Sequence, residues 1–163
     1  MKKALIVRGL PGAGKSTAVQ SVIKAFETRY RSENLNADQQ TLYVIHSTDS
    51  YFVTNGTYQF DAFKLPDFHQ RNQDAFKESL RQNVPLVICD NTNIEKWQRE
   101  PYINAALSAG YEIELMNVGL FTSENLHQTY QLRNQHLVSK EVIKDMAEKA
   151  VKDGIIPVTK FTS

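Results

Sequence analysis

Gly9-Leu10-Pro11-Gly12-Ala13-Gly14-Lys15-Ser16-Thr17 matches G-x-x-x-x-G-K-[ST] at every defined position. No other stretch restricts the fold as much, because the motif works only between a strand and a helix. Both flanks comply. Ala4 to Val7 is a short apolar run of the kind a buried parallel strand shows, and Val19, Val22, Ile23, Phe26 and Tyr30 recur at helical spacing. The glycines let the backbone curl so that successive N–H groups converge on a phosphate, and the helix N-terminus adds partial positive charge. In that arrangement Gly9, Pro11, Gly12, Ala13, Gly14, Lys15, Ser16 and Thr17 form a loop that binds a nucleoside triphosphate. Lys15 reaches the β- and γ-phosphates, and the Ser16 hydroxyl ligates Mg²⁺. The alternative is a Gly-rich turn that happens to end in Gly-Lys-Ser, and the flanks weigh against it. A dinucleotide-binding loop is disfavoured because G-x-G-x-x-G is absent.

Arg31 to Gln40 is polar and reads as a surface loop, after which Thr41 to His46 is a second β-prone run. Ser47-Thr48-Asp49-Ser50 falls at its carboxyl end, the edge where open parallel sheets bind ligands. Tyr51 to Leu65 mixes aromatic and polar residues, and Asn55-Gly56 allows either a hairpin or an irregular substrate loop there. Pro66 predicts a helix start with Asp67 as N-cap and Phe68, Ala75, Phe76 and Leu80 on the buried face. Pro85 to Cys89 is a third strand, ending in Asp90-Asn91-Thr92-Asn93. Pro101 predicts a short turn from Ile94, then a helix from about Pro101 to Ala109 closed by Gly110. Tyr111 to Val118 is a fourth strand. Two more helices are expected. One holds Leu126, Tyr130 and Leu132. The other, capped by Ser139, holds Val142, Ile143, Met146, Ala147, Ala150 and Val151. Gly154 would end it, leaving Ile155 to Val158 as a tail or an edge strand. This alternation argues an α/β fold, a parallel sheet with helices on both faces.

Three clusters bear on what happens to a bound phosphate. Asp49, at a strand end, can accept a proton from an attacking hydroxyl or can cap an Asx turn, and spacing alone does not separate the two. Asp90 ends an apolar strand, the pattern of a carboxylate that holds Mg²⁺, with a turn cap as the alternative. Arg133, followed by Asn134, His136 and Lys140, is the best candidate for a cation over the transferring group; Lys140 is the second, and either also suits a solvated helix face. His69 and His136 are not spaced as metal ligands and read as polar or substrate-facing residues.

At 163 residues one domain spanning 1–163 is expected, and a net charge of +1 gives no broad basic surface for long nucleic acid chains. Cys89 is the only cysteine, which excludes an intramolecular disulfide and reads as a buried core residue. The apolar run before Arg8 is too short for a signal peptide and no stretch is long enough to span a bilayer, so the expectation is a cytoplasmic protein without membrane contact.

The ordered set of stretches resembles the P-loop kinase domain of the bacteriophage polynucleotide kinase type. It is closer still to small bacterial ATP-binding relatives and to the corresponding domain of eukaryotic ubiquitin-ligase-binding proteins. The matching stretches are Arg8 to Thr17, Ser47 to Phe52, Tyr58 to Asp61, His69 to Gln73, Asp90 to Asn93, Trp97, Pro101-Tyr102 and Arg133-Asn134-Gln135-His136. They cover about Met1 to Lys152. The resemblance implies a three-layer P-loop fold with a five-stranded, mainly parallel sheet, flanking helices and a small helical lid. It also implies that Lys15 and Ser16 bind ATP phosphates and Mg²⁺, and that Asp49 is the general base activating a nucleic acid 5′-hydroxyl. Asn91, Thr92 and Asn93 would lie where the acceptor nucleotide is held, and Arg133 would be a lid arginine on ATP. The chain departs from that pattern at Leu137, where the phage enzyme has a second, catalytic lid arginine.

The leading reading is an ATP- and Mg²⁺-dependent phosphotransferase acting on a nucleic acid 5′-OH end, with Asp49, Lys15 and Arg133 as its catalytic residues. A kinase of nucleosides or other small molecules is the second reading, favoured by the near-neutral charge. A nucleotide-binding switch with little transferase activity is the third, and Leu137 is its main support.

Overall fold

The computed structural model describes residues 1–119, 124–134 and 138–153. Strand β1 (Lys3–Gly9) is buried along its whole length, which is why its sequence is a continuous apolar run and not an alternating one. The Gly-rich loop follows, then α1 (Lys15–Glu33), which runs further into the polar stretch than expected. After β2 (Tyr43–His46) comes a 3₁₀ turn over Thr48–Phe52. A two-stranded hairpin, β3 (Val53–Thr54) and β4 (Thr57–Tyr58), turns at Asn55-Gly56. A second 3₁₀ turn (Ala62–Lys64) leads into α2 (Leu65–Arg81). The hairpin of the two alternatives is therefore the one that forms. Helix α2 begins a residue before Pro66, and Lys64 occupies the N-cap. Asp67 lies inside the first turn, where its charge still suits the helix dipole.

Strand β5 (Leu86–Asp90) is followed by α3 (Lys96–Ser108), which contains Pro101 in its interior. The helix thus starts about one and a half turns before the expected point. A capping box explains it: the Glu95 side chain accepts from the Gln98 N–H, and the Gln98 side chain accepts from the Glu95 N–H at 2.9 Å. Pro101 forfeits a single bond, to the Trp97 carbonyl. Strand β6 (Glu112–Val118), α4 (Glu124–Arg133) and α5 (Lys140–Lys152) complete the described chain. Ser139 caps α5 as expected, accepting from the Val142 N–H at 3.3 Å.

Among the described residues the main sheet has four parallel strands in the order β2-β5-β1-β6, one fewer than the family pattern implies. The expected tail at 155–158 lies outside the described residues, as do Gly154 and the Gln135-His136-Leu137 segment. One sheet face packs Ala4, Ile6, Val87 and Cys89 against Phe76 and Leu80 of α2 and Tyr102 and Ala106 of α3. The other packs Leu5, Val7, Ile88 and Met116 against Val19, Val22, Ile23 and Phe26 of α1. Cys89 is fully buried, which pushes its thiol up to about 12, so it is the core residue its apolar run indicated. A third cluster joins Leu10 and Ile94 to Tyr130 of α4 and Ile143, Ala147 and Ala150 of α5, seating the two lid helices beside the loop.

Candidate active site

The site forms where β1, β2 and β5 end together. Strand β2 does not neighbour β1; β5 lies between them, so Asp90 sits directly beside β1, paired with Val7. Asp49 comes from the next strand outward. Both carboxylates nevertheless act on Lys15. Burial lowers the Lys15 pKa, and the charges of Asp90 and then Asp49 oppose that shift. Lys15 Nζ donates to the carbonyl oxygens of Gly9 and Leu10, at 3.1 and 3.0 Å. The loop itself bends through Gly12 (φ 78°) and Gly14 (φ 97°), both in the left-handed region. Ser16 and Thr17 stand exposed in the first turn of α1.

The Asp-Asn-Thr-Asn stretch does more bracing than the sequence indicated. Asn93, at φ 48° and 2% exposed, turns its side chain inward; its Nδ2 donates to the Val7 carbonyl at 2.7 Å. Thr92 contributes through its backbone, accepting from the Gly9 N–H at 3.0 Å. Asn91 Oδ1 accepts from the Thr48 N–H at 2.9 Å, and its Nδ2 lies 3.4 Å from the Tyr102 hydroxyl, which also accepts from Asn72 at 2.9 Å. These contacts fasten the end of β5 to the phosphate loop on one side and to the turn carrying Asp49 on the other.

Asp49 has two polar neighbours that sequence reasoning gave no role beside it. The Tyr58 hydroxyl points at Asp49 Oδ1 across 3.5 Å; burial and then the Asp49 charge push its pKa up to about 12. His69 Nδ1 lies 3.1 Å from Thr48 Oγ1. Burial lowers its pKa against the pull of Asp49, so the ring is neutral at pH 7. Neither contact was predictable from spacing, since Tyr58 and His69 reach the site from the hairpin and from α2.

Arg133, at the end of α4, donates from Nε and Nη2 to the Gly12 carbonyl at 3.1 and 2.8 Å, and its guanidinium lies over the Tyr130 ring. Arg133 is therefore seated on the Gly-rich loop. His136 and Leu137, on which the sequence reading of the lid depended, lie outside the described residues. A second structural feature that sequence reasoning missed ties α5 to the same region. Asp153 pairs with Arg8 at 2.8 Å and Arg99 at 2.9 Å, and accepts from the Lys96 N–H at 2.8 Å. Burial raises the Asp153 pKa, but the bonds from Arg99 and the Lys96 N–H overcome it and the net shift is downward. Burial, and then the like charge of Arg99, lowers the Arg8 pKa to about 10.

These residues fit a nucleoside triphosphate with Mg²⁺. The curled loop offers N–H groups, Lys15 a cation, and Ser16 an exposed hydroxyl in the first turn of α1. No group of three or more His, Cys, Asp or Glu side chains able to cage a metal occurs among the described residues.

Comparison with known proteins bears on the family and the fold. The sequence profile of the AAA_33 family, described as an AAA domain, matches residues 5–152. Human NEDD4-binding protein 2 is 31% identical over 159 residues, covering 98% of this chain but only 8% of that much longer protein. In the Pnkp1/Rnl/Hen1 RNA repair complex, one chain superposes with a TM-score of 0.66 at 15% identity, over 99% of this chain and 50% of its own length. A gluconokinase from Sinorhizobium meliloti superposes with a TM-score of 0.54 at 16% identity, over 90% and 74% of the two chains. The two structures establish a shared P-loop kinase-like fold.

Proposed function

We propose that this chain, which belongs to the AAA_33 family of AAA domains, is an ATP- and Mg²⁺-dependent phosphotransferase that moves the γ-phosphate of ATP to the 5′-OH of a nucleic acid end. The observation that carries this reading is the convergence of Lys15 with Asp49 and Asp90 at the carboxyl edge of the sheet. Phosphoryl transfer needs little covalent help from the protein; it needs position and charge compensation, and these three groups supply both.

Each residue then has a task. The loop N–H groups and Lys15 would hold the phosphates, and Ser16 and Asp90 would hold Mg²⁺, which would supply positive charge to offset that of the phosphates. Asp49 takes the proton of the acceptor hydroxyl as its oxygen bonds to the γ-phosphorus. The bond from that phosphorus to the bridging oxygen breaks, and ADP leaves. Arg133, which donates to the Gly12 carbonyl, would move onto the transferring group. Asn91 and Asn93 act from beneath, Asn91 through Thr48 and Asn93 through Val7, and Thr92 is the member of the trio left to meet the acceptor.

The likeness to a chain of an RNA repair complex supports a nucleic acid acceptor. The net charge of +1 favours the second reading, a kinase of a small nucleoside-like acceptor. Incubation with γ-labelled ATP and Mg²⁺ separates the two when 5′-OH oligonucleotides, a nucleoside mixture and a no-acceptor control are run in parallel. Label on oligonucleotides is expected. Label confined to small molecules would replace the first reading by the second, and ATP binding without transfer would leave only a nucleotide switch. No described helix is long and apolar enough to cross a membrane.

A further inference from the structure

A ridge of aromatic rings runs outward from Asp49. Tyr58, whose hydroxyl points at Asp49, meets Phe52 edge-on at 6.1 Å between centroids. Phe52 is 2% exposed and also contacts Phe60 at 5.1 Å and Phe68 at 4.7 Å, and Phe68 meets Tyr51 at 5.7 Å. Phe52 is thus a buried plug that fastens the short hairpin and the start of α2 to each other. A two-stranded hairpin of this length has little stability of its own, so the plug explains how it is held.

The outer rings are a different matter. Phe60 is 57% exposed and Phe63 is 97% exposed. Phe63 is not on a loose tip: its N–H donates to Asp61 Oδ1 at 3.0 Å, and the Lys64 N–H donates to the Asp61 carbonyl at 3.0 Å. A capped turn therefore sets the backbone that carries this bare ring in water. Lys64 is exposed beside it, and the Arg71 guanidinium lies 5.5 Å from the Phe68 ring centroid. Arg71 also pairs with Asp67 at 3.0 Å, but both partners are more than 60% exposed, so that pair is weak and yields readily to a phosphate.

We infer that Phe60 and Phe63, with Lys64 and Arg71, form a stacking platform for the bases of a single-stranded nucleic acid whose end lies at Asp49. Exposed aromatic faces flanked by cations are what unpaired bases and their phosphates recognise. Phe60 is linked to Asp49 through Phe52 and Tyr58, so a strand whose end lies at Asp49 would pass close to it. A platform that grips only the nucleotides next to the end needs few cations, which reconciles a nucleic acid acceptor with a net charge of +1.

This inference rests on the proposed function and is separable from it by experiment. Binding of a short 3′-fluorescein-labelled, 5′-OH single-stranded oligonucleotide is followed by anisotropy for wild type, Phe60→Ala, Phe63→Ala and Phe63→Trp. In parallel, KM is measured for the oligonucleotide and for a nucleoside 3′-monophosphate. Each alanine is expected to weaken oligonucleotide binding on the order of tenfold, the usual worth of one base–ring stack. The ratio of oligonucleotide to mononucleotide KM should rise to match, and Phe63→Trp should retain wild-type binding. Transfer to oligonucleotides with affinities indifferent to both rings would overturn the platform and leave the kinase reading standing. Ring-dependent binding without transfer to any hydroxyl would do the reverse.

Discussion

Gly12 and Gly14 both adopt positive φ, yet they differ in what surrounds them, and that difference makes a controlled test of how the lid is seated. A Cβ on Gly12 would lie 1.9 Å from the Tyr130 carbonyl oxygen and 2.6 Å from its carbon; a Cβ on Gly14 would meet nothing within 4 Å. Both alanine variants incur the left-handed backbone penalty, about 1–2 kcal/mol. Only Gly12→Ala adds a collision, since carbon contacts need about 3.5 Å and the lid would have to rise by roughly 1.5 Å. Tyr130 is 3% exposed and packed among Leu10, Ile94, Ile143 and Ala147, so the lid cannot give without opening that cluster. Overpacking of this kind costs about 1–3 kcal/mol, giving Gly12→Ala a total of about 2–5 kcal/mol. Urea unfolding without nucleotide should therefore place Gly12→Ala about 1–3 kcal/mol below Gly14→Ala, with Tm lower by a further ~3–10 °C. Hydrogen exchange in α4 should quicken in the first variant alone. Equal stability and equal α4 protection in the two variants would refute the argument that the lid helix rests directly on the phosphate loop.

Other consequences are open to measurement. Asp49→Ala should retain ATP binding while transfer falls by a factor of about 10²–10⁴, the usual contribution of a general base; near wild-type turnover would end the base assignment. Lys15→Ala should weaken ATP affinity itself, and an unchanged affinity in calorimetry would contradict the phosphate-loop assignment. Asp153→Ala leaves Arg8 and Arg99 facing each other at the Ile94 carbonyl, and should cost about 3–5 kcal/mol and loosen α5; a loss under about 1 kcal/mol in urea would show the clasp to be incidental. His46 is buried against Ser79, and burial lowers its pKa from 6.5 to about 4. Its stabilising contribution is thus complete above pH 6.5 and is lost as pH falls toward 4, by at most about 3 kcal/mol. A His46→Asn variant should show a flatter stability profile in that window, and an identical slope would remove His46 as the cause.

The phosphate loop, its flanking strand and helix, and the Asn-Gly hairpin were legible because each is a local rule: a φ requirement, a periodicity, a turn type. Local rules also misled. Pro101 argues for a break in the helix, whereas Glu95 and Gln98, three residues apart, carry the opposite signal and prevail, since a capped start outweighs one lost interior bond. The fastening of α5 was illegible for another reason. Asp153 is separated from Arg8 by 145 residues and from Arg99 by 54, and nothing in the charge pattern pairs them.

Asn91 and Asn93 show what a pair of amides at a strand end does when it is read from the structure. In sequence they are polar residues at the ligand-binding edge, and side chains there are naturally assigned to the ligand. The backbone decides otherwise at Asn93: with φ at 48° the chain reverses and delivers the amide under the loop, onto Val7. Asn91 has both ends committed, one to the Thr48 N–H and one to the Tyr102 hydroxyl. A carboxylate is useful as a base only if its distance from the phosphate loop is fixed. Here β5 stands between the strand that carries Asp49 and the strand that carries the loop, so the fixing has to pass through β5. Asn91 reaches outward to the Asp49 turn, while Thr92 and Asn93 reach inward to Gly9 and Val7. Three adjacent residues thereby set the spacing of two elements that never touch as strands, which is why the site's geometry depends on this stretch as much as on the loop that binds the phosphates.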